Sequence, residues 1–223
     1  MTKKLFLQAL GKFFLGVAAV GALVFLPAGT LRFCQGWLLM GVLFVPMFLA
    51  GLVLMARNPD LLRRRLDARE KEMAQKQVIL LSGLMFLASF VLAGLSFRFD
   101  WLRFPAWVSA LGAVLFLLGY GLYALVLKEN AYLARTVKVE AGQKLVDTGL
   151  YGVVRHPMYA ATLLLFLSMP LILGSLPAFL VLLAYPFLIA RRIRNEEKVL
   201  LRDLPGYEAY IQKVRWRLVP GVW

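Results

Sequence analysis

Residues 156–190 contain no Lys, Arg, Asp or Glu over 35 consecutive positions, and an apolar run of that length belongs in a bilayer. As one helix it would extend about 52 Å, well beyond a hydrocarbon core of roughly 30 Å. Gly174-Ser175-Leu176-Pro177 near its middle is a turn signal, so the run reads as a tight helical hairpin with arms at 158–173 and 178–190. Four further charge-free runs precede it at 13–31, 33–56, 77–97 and 104–127, each of 19 to 24 residues and long enough for one crossing. The fold class that follows is an all-α integral membrane protein with about six transmembrane helices, the last two forming the short hairpin.

Composition supports that class. Hydrophobic residues make up 61% of the chain and charged residues 17%, with a mean hydropathy of +0.74; soluble domains hold roughly 45–50% apolar and about 25% charged residues. A formal net charge of +14 suggests a nucleic-acid binder at first sight. The basic residues sit in blocks between apolar runs, however, and leave no soluble basic domain to hold a nucleic acid.

Charge placement also orients the chain. With an internal N-terminus, 23 of the 26 Lys and Arg residues fall on inside segments, and only Arg32, Arg98 and Arg103 fall outside. A five-helix count would send the eight basic residues from Arg191 onward outside. Both termini are therefore expected in the cytoplasm, most simply at a bacterial inner membrane. Lys3 and Lys4 before an apolar run resemble a signal peptide, but the run exceeds a typical h-region of about 7–15 residues, so the first helix is expected to be retained. Cys34 is the only cysteine and His156 the only histidine, which excludes an internal disulfide and argues against a metal site.

The connections between runs carry the polar chemistry. Asn58-Pro59-Asp60 is a helix start, and the charged segment up to Lys76 reads either as an amphipathic helix on the cytoplasmic leaflet or as a solvated linker. Trp101 and Trp107 suit an interfacial aromatic belt. Residues 128–155 are too polar to span. Within them Thr136-Val137-Lys138-Val139-Glu140 alternates like a short extended piece, and Ala141-Gly142-Gln143-Lys144 reads as a turn. The last helix is expected to continue through Arg191–Leu201 and to break at Pro205-Gly206.

The hairpin brings Arg155 and His156, at one end, to the membrane face that holds Arg192 and Glu196 at the other. Arg192 and Glu196 are four apart and share a helix face. Each residue also has a plain reading: Arg192 and Glu196 as a surface pair, His156 as a helix-start residue, Tyr151 and Tyr159 as interface anchors. Phosphate-loop, Rossmann, serine-elbow and two-histidine zinc motifs are all absent from the chain.

The pattern Leu145-Val146…Gly149-x-Tyr151…Arg155-His156-Pro157-x-Tyr159, then Arg192-x-x-x-Glu196-Glu197-x-x-Leu200, Tyr207-x-x-Tyr210 and Pro220, resembles the isoprenylcysteine carboxyl methyltransferase family, in particular its bacterial members. The resemblance covers residues 105–223 and sets a methyltransferase core apart from an N-terminal part at 1–104. It implies S-adenosylmethionine as cofactor, held in a cytoplasmic pocket without a Rossmann sheet. The implied cofactor contacts are Gln143, Lys144, Leu145, Val146, Tyr151, Arg155, His156, Tyr159 and Glu196, with Glu140 standing where the family has a glutamine. Arg192 is the implied substrate contact, and Arg192 and Glu196 the implied catalytic pair. Gln143 stands where the family often has histidine and Ala161 where it often has glycine.

The residue types suit that cofactor. Glu196 can accept from its ammonium, His156 and backbone N–H groups can hold its carboxylate, and Leu145, Val146 and Tyr151 can wall its adenosine. The acceptor is expected to be lipophilic and drawn from the bilayer: a carboxylate of the isoprenylcysteine type, or alternatively a phospholipid amine or small thiol. A different class, an NADPH-dependent membrane reductase of the steroid-reductase type, would need a basic cluster for the 2′-phosphate, which Arg191, Arg192 and Arg194 can supply. A third is a non-enzymatic membrane protein whose polar cluster anchors helices.

Overall fold

The computed structural model describes residues 3–67, 70, 72–134, 136, 137, 139 and 142–223. Its long helices are α1 (Lys3–Ala28), α2 (Cys34–Arg57), α4 (Met73–Phe99) and α5 (Ala106–Glu129), with the short α3 (Pro59–Leu66) between α2 and α4. After a polar connector come α6 (Pro157–Ile172), α7 (Leu176–Leu182), α8 (Tyr185–Asp203) and α9 (Tyr207–Lys213). Among the described residues there is no strand, only an isolated bridge between Arg103 and Ser175.

Five segments are long and apolar enough to cross a membrane: Leu5–Ala28, Cys34–Arg57, Met73–Phe99, Ala106–Glu129 and Leu176–Asp203. The sixth apolar helix, α6, has 16 residues, about 24 Å of helix and short of the bilayer core. The hairpin turn falls where the sequence places it: Gly174 has φ +69°, and Ser175 caps α7 by accepting from the Ala178 N–H at 3.3 Å. The returning arm differs from the single helix expected over 178–190. It breaks at Leu183 and Ala184, just before Pro186, whose missing N–H cannot join the helical ladder. The chain then resumes as α8, which runs out of the apolar layer to Asp203.

Without water to drive helices together inside a bilayer, close backbone approach sets the packing. Small residues make it possible where α5 meets α6. A Cβ on Gly112 would lie 2.8 Å from the Ile172 nitrogen, and one on Gly119 would lie 2.9 Å from Leu165 Cγ. These glycines are two helical turns apart and form a seam on which α6 rests. Helix α1 packs against α2 and α4, α2 also meets α5, and α4 meets α7 and α8. The main apolar cluster, including Val24, Phe33, Leu39, Ala93, Phe116 and Ile172, lies where these helices converge.

The segment after α2 is a helix rather than a solvated linker. Asn58 Oδ1 accepts from the Leu61 N–H at 3.1 Å, and Leu61 and Leu62 on α3 are buried. The expected extended piece at 136–140 forms no ladder in its described part; the Val137 N–H goes instead to Glu70 Oε2 at 3.2 Å. Glu140 and Lys138 lie outside the described residues.

Two outcomes check this architecture. Gly112→Val should lower the unfolding free energy in detergent by about 1–3 kcal/mol through overpacking of the α5–α6 seam, measured by thermal or denaturant unfolding. Cys34 is exposed at the end of α2 away from the polar connector. In intact cells a membrane-impermeant maleimide should label it from outside; labelling only after lysis would reverse the expected orientation.

Candidate functional site

The polar connector is folded onto the end of α5. The Glu129 carboxylate accepts from the Leu150 N–H at 2.9 Å, and Asn130 Nδ2 donates to the Tyr151 hydroxyl at 3.1 Å. A 3₁₀ turn at Gly149–Gly152 follows, opened by Gly149 at φ +57°. Tyr151 is buried within it, and its main-chain carbonyl accepts from the Tyr210 hydroxyl at 2.7 Å. Burial pushes the Tyr151 phenol up to about 12, so it remains neutral.

The next residues lock the C-terminal tail in place. The N–H groups of Arg155 and His156 donate to the carbonyls of Trp216 and Arg217, both at 2.9 Å. Arg155, only 5% exposed, donates from Nε to Glu197 Oε1 at 2.8 Å and from Nη1 to the Val214 and Arg215 carbonyls at 2.7 and 2.8 Å. His156 Nε2 lies 3.3 Å from the same Glu197 oxygen, while Arg217 Nε donates to Oε2 at 2.8 Å. One buried carboxylate thus gathers three basic side chains. Arg155 and His156 take Glu197 as their carboxylate partner while lining the same cleft as Arg192 and Glu196.

Adjacent positions on a helix point about 100° apart, so the two glutamates diverge. Glu197 faces the tail. Glu196 faces the first turn of α6, where its Oε2 accepts from the Tyr159 hydroxyl at 2.5 Å. That hydroxyl in turn accepts from Arg192 Nε at 2.8 Å, and the guanidinium carbon lies 5.9 Å from the centre of the tyrosine ring. Arg192 and Glu196 are thereby joined through Tyr159.

These elements line an open cleft of about 840 Å³ when the solvent at its mouth is included. Gln143, Lys144, Leu145, Val146, Tyr151, Arg155, His156, Tyr159, Arg192 and Glu196 all line it, so the structure brings together every expected site residue that it describes. Glu140 alone lies outside the described residues. Sequence reasoning did not assign Asn130, residues 132–134, Met158 or Tyr207 to the wall, yet they are part of it. The Tyr207-x-x-Tyr210 spacing was the available signal for Tyr207. This residue is 3% exposed, and its buried hydroxyl has no hydrogen-bond partner among the described residues. Burial holds both Tyr207 and Tyr210 protonated, with pKa values well above the ordinary phenol.

The basic cluster invoked for an NADPH 2′-phosphate does not assemble. Arg192 lines the cleft, but Arg191 donates to Gln77 Oε1 at 2.8 Å and Arg194 lies over the Trp223 ring at 5.9 Å. Among the described residues no group of three His, Cys, Asp or Glu is placed to hold a metal ion.

Fold and site together define a helical, multi-pass membrane protein with a polar, tyrosine-rich cleft at one end of its bundle. Comparison with known proteins narrows the class. The phospholipid methyltransferase family matches residues 107–204, a segment containing α5, α6, α7, α8 and most of the cleft wall, and this supports a membrane methyltransferase. The chain is also 32% identical over 91 residues to a Delta(14)-sterol reductase from Mus musculus, and 30% identical over 93 residues to a Delta(14)-sterol reductase from Methylotuvimicrobium alcaliphilum. Each alignment covers 40% of this chain and 22% of the reductase, so the chain spans about a fifth of the length of these curated relatives.

The divergence of the two glutamates makes a sharp prediction. Glu197→Ala leaves Arg155, His156 and Arg217 without their carboxylate and should cost about 3–5 kcal/mol of stability, with residues 214–223 becoming protease-sensitive. Glu196→Gln should cost only about 1 kcal/mol and leave the tail protected. Unfolding curves and limited proteolysis of the two variants check the contrast.

Proposed function

We propose that this protein is an S-adenosylmethionine-dependent methyltransferase acting on a lipophilic acceptor drawn from the bilayer. The observation that carries the reading is the convergence, in one cleft beside the apolar helices, of Glu196, Tyr159 and Arg192 with the connector residues 143–146. The phospholipid methyltransferase match, over residues 107–204, covers both helices and the connector stretch that contribute to that convergence.

The residues fit the cofactor on chemical grounds. Its ammonium needs an acceptor, and Glu196 presents a carboxylate at the cleft wall. Its carboxylate and ribose hydroxyls need donors; the unpartnered Tyr207 hydroxyl and Lys144 supply two. The apolar side chains of Leu145 and Val146 and the neutral ring of Tyr151 suit a flat adenine. Gln143 completes that side, and Glu140 stands where the resembled family has a glutamine contact. Arg155 adds positive charge at the wall, and its guanidinium and the His156 ring hold the tail through Glu197. When bound, the cofactor supplies an electrophilic methyl group on a sulfonium.

The chain's own part is positioning, which dominates a displacement that requires an in-line nucleophile. Arg192, steadied by Tyr159, would orient an anionic acceptor head such as a carboxylate of the isoprenylcysteine type. A carboxylate is already ionised at neutral pH and needs no general base. Glu196, joined to Arg192 through Tyr159, would couple cofactor seating to acceptor seating. A phospholipid amine or small thiol as acceptor would use the same cleft. The expected location is a bacterial inner membrane, with the cleft facing the cytoplasm.

The sterol-reductase similarity favours a second reading, an NADPH-dependent reductase. The outward placement of Arg191 and Arg194 weighs against it, because a 2′-phosphate would find only Arg192 of the three at the cleft.

Calorimetric titration of the purified protein separates the two. S-adenosylhomocysteine should bind saturably, and Glu196→Gln should weaken it by about tenfold or more, as expected for loss of a charged hydrogen bond. Saturable NADPH binding with no response to S-adenosylhomocysteine would reverse the assignment.

A further inference from the structure

The wall of the cleft formed by residues 130–134, 136 and 137 has almost no regular structure of its own among the described residues. Among the described residues, internal hydrogen bonds run from the Tyr132 N–H to Asn130 Oδ1 at 2.9 Å and from the Leu133 N–H to the Asn130 carbonyl at 3.3 Å. Backbone groups in such a segment need other partners to stay in place. They find them in the stretch between α2 and α4, far away in sequence. Arg64 Nη1 donates to the Ala131 carbonyl at 3.0 Å, with its guanidinium 5.8 Å from the Tyr132 ring centre. Arg65 Nη1 donates to the Ala134 carbonyl at 3.1 Å. Glu70 Oε2 accepts from the Val137 N–H at 3.2 Å.

Arg65 does more than hold a carbonyl. Its Nη2 donates to the Tyr123 hydroxyl on α5, the guanidinium lies 5.3 Å from the Tyr123 ring centre, and Nη1 is 3.8 Å from Met158 Sδ at the start of α6. One planar cation therefore bridges α5, α6 and the connector. Ala134 and Met158, two of the groups it touches, line the cleft. Helix α3 is itself anchored: Leu61 and Leu62 are buried, and Lys12 Nζ on α1 donates to the Leu66 carbonyl at 2.6 Å. The brace is thus fixed at its base and reaches into the site at its tip. Arg suits the task because a rigid fork can serve several acceptors at once, which a single ammonium cannot.

We propose that the N-terminal part of the chain is a working component of the site, and that Arg65 is a positioning residue that sets the connector wall of the cofactor cleft. The consequence for ligand binding rests on the methyltransferase reading above; the bracing of the wall does not. Arg65 reaches no reacting group, so its effect falls on cofactor affinity rather than on the chemical step.

The test uses the full-length protein in detergent or nanodiscs, with the variants Arg65→Ala and Arg65→Lys. Hydrogen exchange of the amides in 130–137 is read first, in the absence of ligand. Arg65→Ala should accelerate it by about tenfold, corresponding to the loss of a charged hydrogen bond, with exchange in α6 and the tail unchanged. Arg65→Lys should restore part of the protection. In methyl transfer, Arg65→Ala should raise KM for S-adenosylmethionine by about tenfold, leaving kcat within about twofold. If Arg65→Ala does not fold, Tyr123→Phe, which removes one partner of the guanidinium, should show the same selective loosening at smaller amplitude. Unchanged exchange at 130–137, or uniform loosening of the whole bundle, overturns the proposal. Selective loosening in a protein that binds no S-adenosylhomocysteine would uphold the brace and remove the methyltransferase reading instead.

Discussion

The buried Glu197 carboxylate is the contact on which the rest of the site depends. Three basic side chains from two separate segments meet it: Arg155 and His156 at the start of α6, and Arg217 in the tail. Desolvating such charges is costly, and a hydrophobic cluster of equal volume would hold the chain together at least as well. An ionic junction adds direction. It fixes which face of α8 turns to the tail, and the adjacent Glu196 must then turn to the cleft. The tail, so fixed, carries carbonyls that receive the Arg155 and His156 N–H groups, and α9 presents Tyr207 and Tyr210 to the connector. One carboxylate thereby organises the floor of the cleft, and the division of labour between consecutive glutamates follows from helix geometry.

The membrane sets the other constraint. The α5–α6 seam at Gly112 and Gly119 holds the short α6 close against α5, so the polar residues following α5 and those preceding α6 emerge side by side. A short α6 and a broken return through α7 leave α8 long enough to carry Arg192, Glu196 and Glu197 out of the apolar layer. The cleft is consequently polar within a few residues of helices that face lipid. That arrangement suits a reaction joining a water-soluble cofactor to a bilayer-borne acceptor, and it is consistent with the phospholipid methyltransferase match over the same helices.

Much of this was legible in the residues. Charge-free runs mark the apolar helices because few other structures bury such lengths, and Gly174 with Ser175 marks the hairpin turn because a positive φ and a helix cap are both needed there. The expected site residues 143–146, Tyr151, Arg155, His156, Tyr159, Arg192 and Glu196 converge because the hairpin returns its two ends to one face. What the pattern could not convey was partner choice. Glu196 and Glu197 are equivalent as letters, and only the rotation of α8 decides which one meets Arg155. The contribution of Arg65 was equally hidden, because a basic residue after a membrane span is accounted for by the positive-inside bias alone. The break between α7 and α8 falls just before Pro186, within an apolar run that by composition alone reads as one helix. The outward turn of Arg191 and Arg194 likewise depends on helix phase, which the cluster of letters does not reveal.

The proposed function is the delivery of S-adenosylmethionine to a membrane-borne acceptor at the cleft. Its most direct test incubates the purified protein with S-adenosylmethionine tritiated on the methyl group and a membrane-lipid extract, followed by extraction into organic solvent. Protein-dependent label should appear in the lipid phase, in a product whose identity gives the acceptor. An unlabelled lipid phase, with NADPH consumed by the same protein and extract, would contradict it.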